Sequence, residues 1–223
     1  MARLKSGILG PIIGKLANLV GYIRRGQPVI RTKPKKKRKK KGPRSDAQKE
    51  VNLRFKIVNS FISVINDFTN VSFKQDVAGT TKIAQNGAAS YNIKRAITGK
   101  YPDLKLDYPK VLVSKGTLPP PENPTVEFEG DVLTFKWDVV PNSDYRLNRD
   151  QVMMLAYMPA NNMAKYVLSG ARRTEGTDTM EVHVRKKDWG QFVKDTVIET
   201  YIAFISDDRQ RISDSVYVGQ IVL

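Results

Sequence analysis

Hydrophobic positions recur along this chain with two different periods, and the change falls near residue 100. Between residues 46 and 97 the apolar side chains are spaced by three and four, which predicts amphipathic helices. After Leu104 apolar and polar side chains alternate, which predicts strands. The pattern therefore predicts an α+β fold in which the helices precede the strands.

The helical part, residues 46–100, is expected to form a hairpin of two helices. Ser45 and Gln48 have the spacing of a capping box, which marks the start of the first helix. The apolar face of this helix is predicted to consist of Val51, Phe55, Val58, Ile62 and Ile65. The second helix is predicted to run from Asp76 to Ile97, and Gly99 is expected to end it.

The strand part, residues 101–223, is expected to form a β-sandwich of the immunoglobulin or fibronectin type III kind. About seven strands in about one hundred residues, with turn residues between them, are typical of such sandwiches. These strands are expected at 126–130, 132–138, 151–159, 163–170, 179–184, 195–207 and 213–223, after an earlier one at 110–114. Trp137 and Tyr201 are expected to anchor the core.

The first 32 residues combine glycines with apolar side chains. Glycine at this density disfavours a long helix and permits close approach of backbones. The stretch 28–32 is expected to be extended, and the rest is interpreted as an apolar arm that packs against its own body or another subunit. Residues 33–45, with the run KPKKKRKKKGPR, are interpreted as a polybasic linker because neighbouring like charges repel and extend the chain.

Charge is distributed very unevenly along the chain. The formal net charge is +16, and residues 1–45 contain 15 of the 38 Lys and Arg and no Asp or Glu, so the remainder is close to neutral. A concentrated positive charge attracts a polyanion, such as nucleic acid, and releases its counterions. The expected polyanion-binding residues are Arg24, Arg25, Arg31, Lys33, Lys35, Lys36, Lys37, Arg38, Lys39, Lys40, Lys41 and Arg44.

Catalytic chemistry has little support in the sequence. The chain has no cysteine and one histidine, His183, so a metal site or a nucleophilic triad lacks the usual residues. Neither a P-loop nor a Gly-x-Ser-x-Gly elbow occurs. Glu127, Glu129 and Asp131 lie on or near one strand, and nothing in the sequence singles them out as a catalytic pair. Asp207, Asp208 and Asp214 lack the alternation and the glycine of a calcium loop. We therefore expect no enzyme activity and no cofactor.

Membrane insertion and export also lack a clear signal. No stretch reaches the ~20 apolar residues of a membrane span. Residues 1–23 resemble a signal peptide, but Lys15 and Asn18 interrupt the apolar run and we expect the segment to be retained. The expected location is the cytoplasm or a nucleoprotein assembly, and a secreted or surface location stays open.

Three functional hypotheses follow from these patterns. In the first, the protein is a non-enzymatic binding protein whose basic arm engages DNA or RNA without sequence preference, while the sandwich serves as a docking scaffold. In the second, it is a structural subunit of a virion, filament or surface layer, and the arm makes homo-oligomeric or larger subunit contacts. In the third, the apolar and basic stretches attach it to an anionic membrane surface. No small-molecule substrate is evident.

Three sequence blocks resemble a family of uncharacterised proteins from Bacteroidota. They are GPIIGKLANLVGY at residues 10–22, YPKVLVSKGTLP at residues 108–119 and YIAFISDDRQRISDSVYVGQ at residues 201–220. The chain departs from the family pattern at Ala17, where glycine is usual, and its lysine run is unusually long. The resemblance implies a shared architecture and a bacterial setting, which would make the likeness of the lysine run to a nuclear localisation signal a coincidence. It implies no activity.

Overall fold

The computed structural model describes residues 3–4, 7, 10–35, 42–140, 145–182 and 197–222. The described residues combine helices with antiparallel sheets, so the expected α+β class is confirmed. The chain divides into two compact units. The first consists of residues 1–45 with 79–81, and the second consists of residues 46–78 with 82–223.

The first unit contains an antiparallel sheet, and its last strand includes residues 28–32, the stretch that was expected to be extended. Its strands, in their order across the sheet, are β1 (Arg3–Leu4), β2 (Ile12–Leu16), β3 (Leu19–Arg24) and β4 (Gln27–Thr32). Turns at Ala17–Asn18 and Arg25–Gly26 connect the last three strands, and Ala17, Arg25 and Gly26 have φ angles of 46°, 49° and 78°. Positive φ angles in two-residue turns match the twist of a hairpin.

Gly21 explains part of the glycine-rich pattern. A Cβ atom at this position would lie 2.0 Å from the carbonyl oxygen of Ile12, which is far inside van der Waals contact. Only glycine therefore allows the backbone of β2 to approach β3 at this point.

The second unit begins with three helices, α1 (Asp46–Val64), α2 (Asn66–Ser72) and α3 (Ala84–Arg95). The expected first helix is divided at Ile65, because the backbone there (φ −104°, ψ 27°) leaves the helical region. The expected start of the next helix at Asp76 was wrong. Turns occupy the intervening residues, and Gly79 has a φ angle of 73° that a helix cannot contain.

Among the described residues, nine short strands follow the helices. They are β5 (Ile97–Thr98), β6 (Lys105–Leu106), β7 (Thr125–Glu129), β8 (Val132–Lys136), β9 (Gln151–Met158), β10 (Met163–Val167), β11 (Thr177–Glu181), β12 (Val197–Ile205) and β13 (Val216–Val222). Strands β5 and β6 form a pair. The others form a four-stranded sheet in the order β10-β9-β12-β13 and a three-stranded sheet in the order β11-β8-β7. Each of these seven strands overlaps the position predicted for it.

The strand expected at 110–114 is absent from the structure. A single 3₁₀ turn spans Tyr108–Lys110, and the buried segment after it bonds mainly to side chains instead of a neighbouring strand. The amide of buried Asn92 donates to the Leu112 carbonyl at 2.9 Å and accepts from the Leu112 N–H at 2.9 Å. Asn92 thus supplies the bonds that a partner strand would make.

Two apolar clusters cover opposite faces of the four-stranded sheet. One cluster joins the sheet to the helices through residues such as Phe61, Phe68, Met153 and Tyr201. The other joins it to the three-stranded sheet through residues such as Phe135, Met154 and Phe204. Consecutive residues of β9 enter opposite clusters, which explains why this strand is a continuous apolar run. The unit therefore has three layers.

Candidate nucleic-acid interface

The register of the N-terminal sheet brings its basic side chains to one face. Lys15 of β2 is opposite Val20 of β3, and Val20 is opposite Arg31 of β4. Paired residues share a face of a sheet, and so do alternate residues of one strand. Tyr22 and Arg24, at two and four residues beyond Val20, therefore lie on the same face as Lys15 and Arg31.

An aromatic ring lies among these cations. The Arg31 guanidinium carbon is 5.6 Å from the centroid of the Tyr22 ring, within the range of a cation–π contact. Tyr22 is half-buried, whereas Lys15, Arg24 and Arg31 are exposed. The face thus presents both positive charge and a ring on which a base could stack.

The opposite face of the same sheet is apolar. By register it carries Leu16, Leu19, Ile23 and Ile30. Leu16, Ile23 and Ile30 are 50%, 50% and 54% exposed. The sheet is therefore amphipathic, with one face suited to a polyanion and the other to an apolar partner.

The other predicted polyanion-binding residues that the structure describes lie outside the strands of this sheet. Arg25 lies in the turn between β3 and β4. Lys33 directly follows β4, where its backbone N–H donates to the Asn18 carbonyl at 2.7 Å. Lys35 and Arg44 are exposed. Lys36, Lys37, Arg38, Lys39, Lys40 and Lys41 lie outside the described residues.

Lys15 was not among the polyanion-binding residues predicted from the sequence, although it lies on the basic face. The signal was present in the sequence, because Lys15 lies between Gly14 and Leu16 in an alternating stretch that a two-residue turn follows. Because no Asp or Glu occurs in residues 1–45, no carboxylate from this segment offsets the positive charge of the face.

The aspartates near the last turn of the chain bind protein groups. The Oδ1 atom of Asp208 accepts hydrogen bonds from the Ser206 hydroxyl at 2.5 Å and from the Gln210 N–H at 3.0 Å. The Ser206 hydrogen bond, followed by the Gln210 one, lowers the pKa of Asp208. Asp214 accepts the Gly116 N–H at 3.0 Å. These carboxylates hold the loops that flank β12 and β13.

Two features are absent from the part of the chain that the structure describes. No group of three or more His, Asp or Glu residues there could hold a metal ion. No helix there is long and apolar enough to cross a membrane. His183 lies outside the described residues.

Comparison with known proteins identifies the family. The model of a family of unknown function, DUF6266, matches residues 11–219, and the chain belongs to this family. No curated protein matches the chain. One similar solved structure is the spore cortex lytic enzyme SleM of Clostridium perfringens, at 16% identity and a TM-score of 0.26. The match covers 56% of this chain and 35% of that one, and at this TM-score it carries no argument.

Proposed function

We propose that this member of the family is a non-enzymatic binding protein whose N-terminal unit engages nucleic acid without sequence preference. The observation that supports the proposal is the basic face of the sheet, where Lys15, Arg24 and Arg31 share a face with Tyr22. The polybasic stretch 33–44 follows directly after β4 in the chain.

The chemistry of this face suits phosphate backbones better than base edges. Lysine and arginine neutralise phosphates and release condensed counterions, which provides affinity without sequence readout. Tyr22 adds a stacking surface that any base can use. We therefore expect binding to depend steeply on salt and only weakly on sequence.

The seven-stranded part of the second unit is proposed to be a fibronectin type III-like sandwich that serves as a scaffold. The strand orders β11-β8-β7 and β10-β9-β12-β13 support this assignment, since an apolar cluster packs between the two sheets. Trp137 and Tyr201 are buried, as expected for core anchors, although Tyr201 belongs to the cluster on the helix side.

A salt titration with three full-length variants tests the proposal. The face variant is K15Q/R24Q/R31Q, and the run variant replaces every Lys and Arg from Lys33 to Arg44 by Gln. The control, K94Q/K100Q/K165Q, removes three exposed charges from the second unit. Affinity for a duplex DNA and a single-stranded RNA is measured by fluorescence anisotropy across a range of salt concentrations.

The expected results differ for the three variants. Each lost phosphate contact reduces the magnitude of the slope of log K against log salt by about 0.9 on duplex DNA. The magnitude of this slope should therefore be smaller for the face variant by up to about 3. The slope should be reduced further in the run variant, and the slope of the control should match that of the wild type. If the wild type fails to bind at low salt, or if the control weakens binding as much as the face variant does, the proposal is wrong.

A second candidate function is assembly into a larger structure. The half-exposed side chains Leu16, Ile23 and Ile30 favour it, since an apolar face of a sheet is commonly covered by another protein surface. Sedimentation velocity of the wild type and of L16S/I23S/I30T over a concentration series tests this function. A concentration-dependent oligomer that the variant abolishes would support assembly, and a monomeric wild type would exclude it under those conditions.

A further inference from the structure

A groove lies on the helical side of the second unit. Its volume is about 640 Å³, which is within the range of small-molecule sites in proteins. Its lining comes from α1, from the segment that contains β6, and from the chain around the end of β9. The lining residues include Leu53, Ile57, Phe61, Leu106, Tyr108 and Tyr157.

The aromatic part of the groove is held by contacts on several sides. The Tyr157 ring meets Phe61 edge-to-face, with centroids 4.8 Å apart, and lies 5.9 Å from the ring of Tyr108. The Tyr157 hydroxyl donates to Oδ1 of Asn162 at 3.0 Å. Because these contacts fix the rings, a ligand would meet an ordered apolar surface.

Positive charge and a hydrogen-bond donor complete the lining. The side chains of Lys56 and Lys105 are exposed, and neither side chain forms an ion pair or hydrogen bond with another residue that the structure describes. Nearby Lys110, by contrast, is 2.6 Å from a carboxylate oxygen of Asp107. Burial, and then the neighbouring Tyr157, raises the pKa of Tyr108 to about 12, so its hydroxyl keeps its proton at neutral pH.

We propose that this groove binds a single-chain amphiphile with an anionic head group, such as a medium-chain carboxylate. The hydrocarbon would cover the surface formed by Leu53, Ile57 and Leu106, and Lys56 and Lys105 would contact the carboxylate. A neutral amphiphile would leave both cations without a counter-charge, and a cationic one would be repelled. The proposal does not depend on the nucleic-acid interface of the first unit.

Nuclear magnetic resonance of the full-length chain tests the proposal, with octanoate as the probe and 1-octanol as its neutral match. Octanoate should shift the amide signals of Ile57, Leu106 and Tyr157 in a saturable manner. The variant K56Q/K105Q should weaken octanoate binding by about tenfold, consistent with the loss of two favourable charge contacts. Binding of 1-octanol should be weaker than that of octanoate and should be insensitive to this variant.

Two further variants make the result specific to the groove. K94Q/K165Q removes two exposed lysines elsewhere in the second unit and should leave octanoate binding unchanged. Ser60→Trp fills the groove and should abolish the shifts produced by both probes. Equal binding of octanoate and 1-octanol by the wild type would overturn the proposal. Unchanged octanoate binding by K56Q/K105Q would overturn it as well, and so would the absence of saturable shifts at the groove.

Discussion

The two units of this chain differ in how they bury their apolar surface. The second unit places a four-stranded sheet between helices and a second sheet, and side chains such as Phe61 and Phe135 are almost fully buried. The strands described in the first unit form a single sheet, and among the described residues of this unit Gly21 alone is buried. The two parts of the chain also differ in charge, since residues 1–45 contain 15 Lys and Arg and no Asp or Glu.

This difference bears on what each unit needs from its surroundings. A layered domain buries its apolar faces against its own elements and is stable by itself. A single sheet with an apolar face left half exposed lacks that second layer. Stability of the second unit should therefore be intrinsic, whereas the first unit should gain order from the partners that its two faces attract.

The largest expected effect on stability comes from the removal of an aromatic side chain from either core of the second unit. Phe61→Ala and Phe135→Ala should each lower the free energy of unfolding by about 3–5 kcal/mol, because each leaves a cavity in a packed cluster. Urea unfolding monitored by circular dichroism measures the loss. Tyr145→Ala, at a side chain that is 68% exposed, serves as the control and should change stability little. A small effect of either core variant would mean that its layer is not part of the cooperative unit.

The buried ion pair of the second unit offers a sharper test of the same core. Asp150 and Arg173 are 3.1 Å apart, with side chains 0% and 12% exposed. Burial outweighs their attraction, so the pKa of Asp150 is raised and that of Arg173 is lowered. Either D150L or R173M should cost about 3–5 kcal/mol in unfolding experiments, because each leaves one charge unpaired.

The double variant D150L/R173M should be much less harmful than either single variant, because an apolar pair avoids the desolvation of both charges. The free energy of unfolding of the wild type should also depend on pH through Asp150. The folded pKa of Asp150 lies above its unfolded value, so its favourable contribution is fully present at acidic pH and declines as pH rises through the folded pKa. Additive costs of D150L and R173M in the double variant would contradict this account.

A smaller effect is expected in the first unit, where Gly21→Ala should disturb the sheet. The new methyl group would clash with the Ile12 carbonyl, and crowding of this kind typically costs about 1–3 kcal/mol. Limited proteolysis should show faster cleavage before residue 46, while the unfolding transition of the second unit stays unchanged. Val29→Ala, on the same sheet but without a clash, should be cleaved at close to the wild-type rate. Equal cleavage of the wild type and Gly21→Ala would show that the close approach is unimportant.

An effect of similar size, confined to binding, is expected from the ring on the basic face. Tyr22→Leu should weaken binding of single-stranded RNA by about 1–3 kcal/mol, the usual contribution of one stacked base, and leave duplex binding nearly unchanged. Fluorescence anisotropy at a single salt concentration measures both affinities. A parallel loss for duplex and single strand would indicate that Tyr22 supports the sheet and does not stack on a base.

The apolar periodicity of the sequence was sufficient to locate the seven strands of the two larger sheets. The alternating run of β8 and the continuous run of β9 each reflect local burial, which the sequence records residue by residue. The uneven distribution of charge was also evident from the sequence, because it follows from the number of charged residues in each part of the chain. Helix boundaries were less accurate, because the turns around Gly79 depend on how the helices pack.

Other features were decided by the tertiary structure. Val51 and Phe55 were expected in the core but are 53% and 49% exposed, because the buried side of α1 follows the sheet beneath it and begins at Val58. The basic face required strand register, since Lys15 and Arg31 are distant in sequence and meet only when β2, β3 and β4 pair.

The sequence by itself therefore determined the fold class, most of the strands and the place of the positive charge, all of which depend on local composition and spacing. Only the tertiary structure turned the glycine-rich segment into a sheet and brought Lys56 and Lys105 to one groove. Contacts of that kind join residues that are far apart in the chain, and their geometry is set by packing and strand pairing, which leave no periodic mark on the sequence.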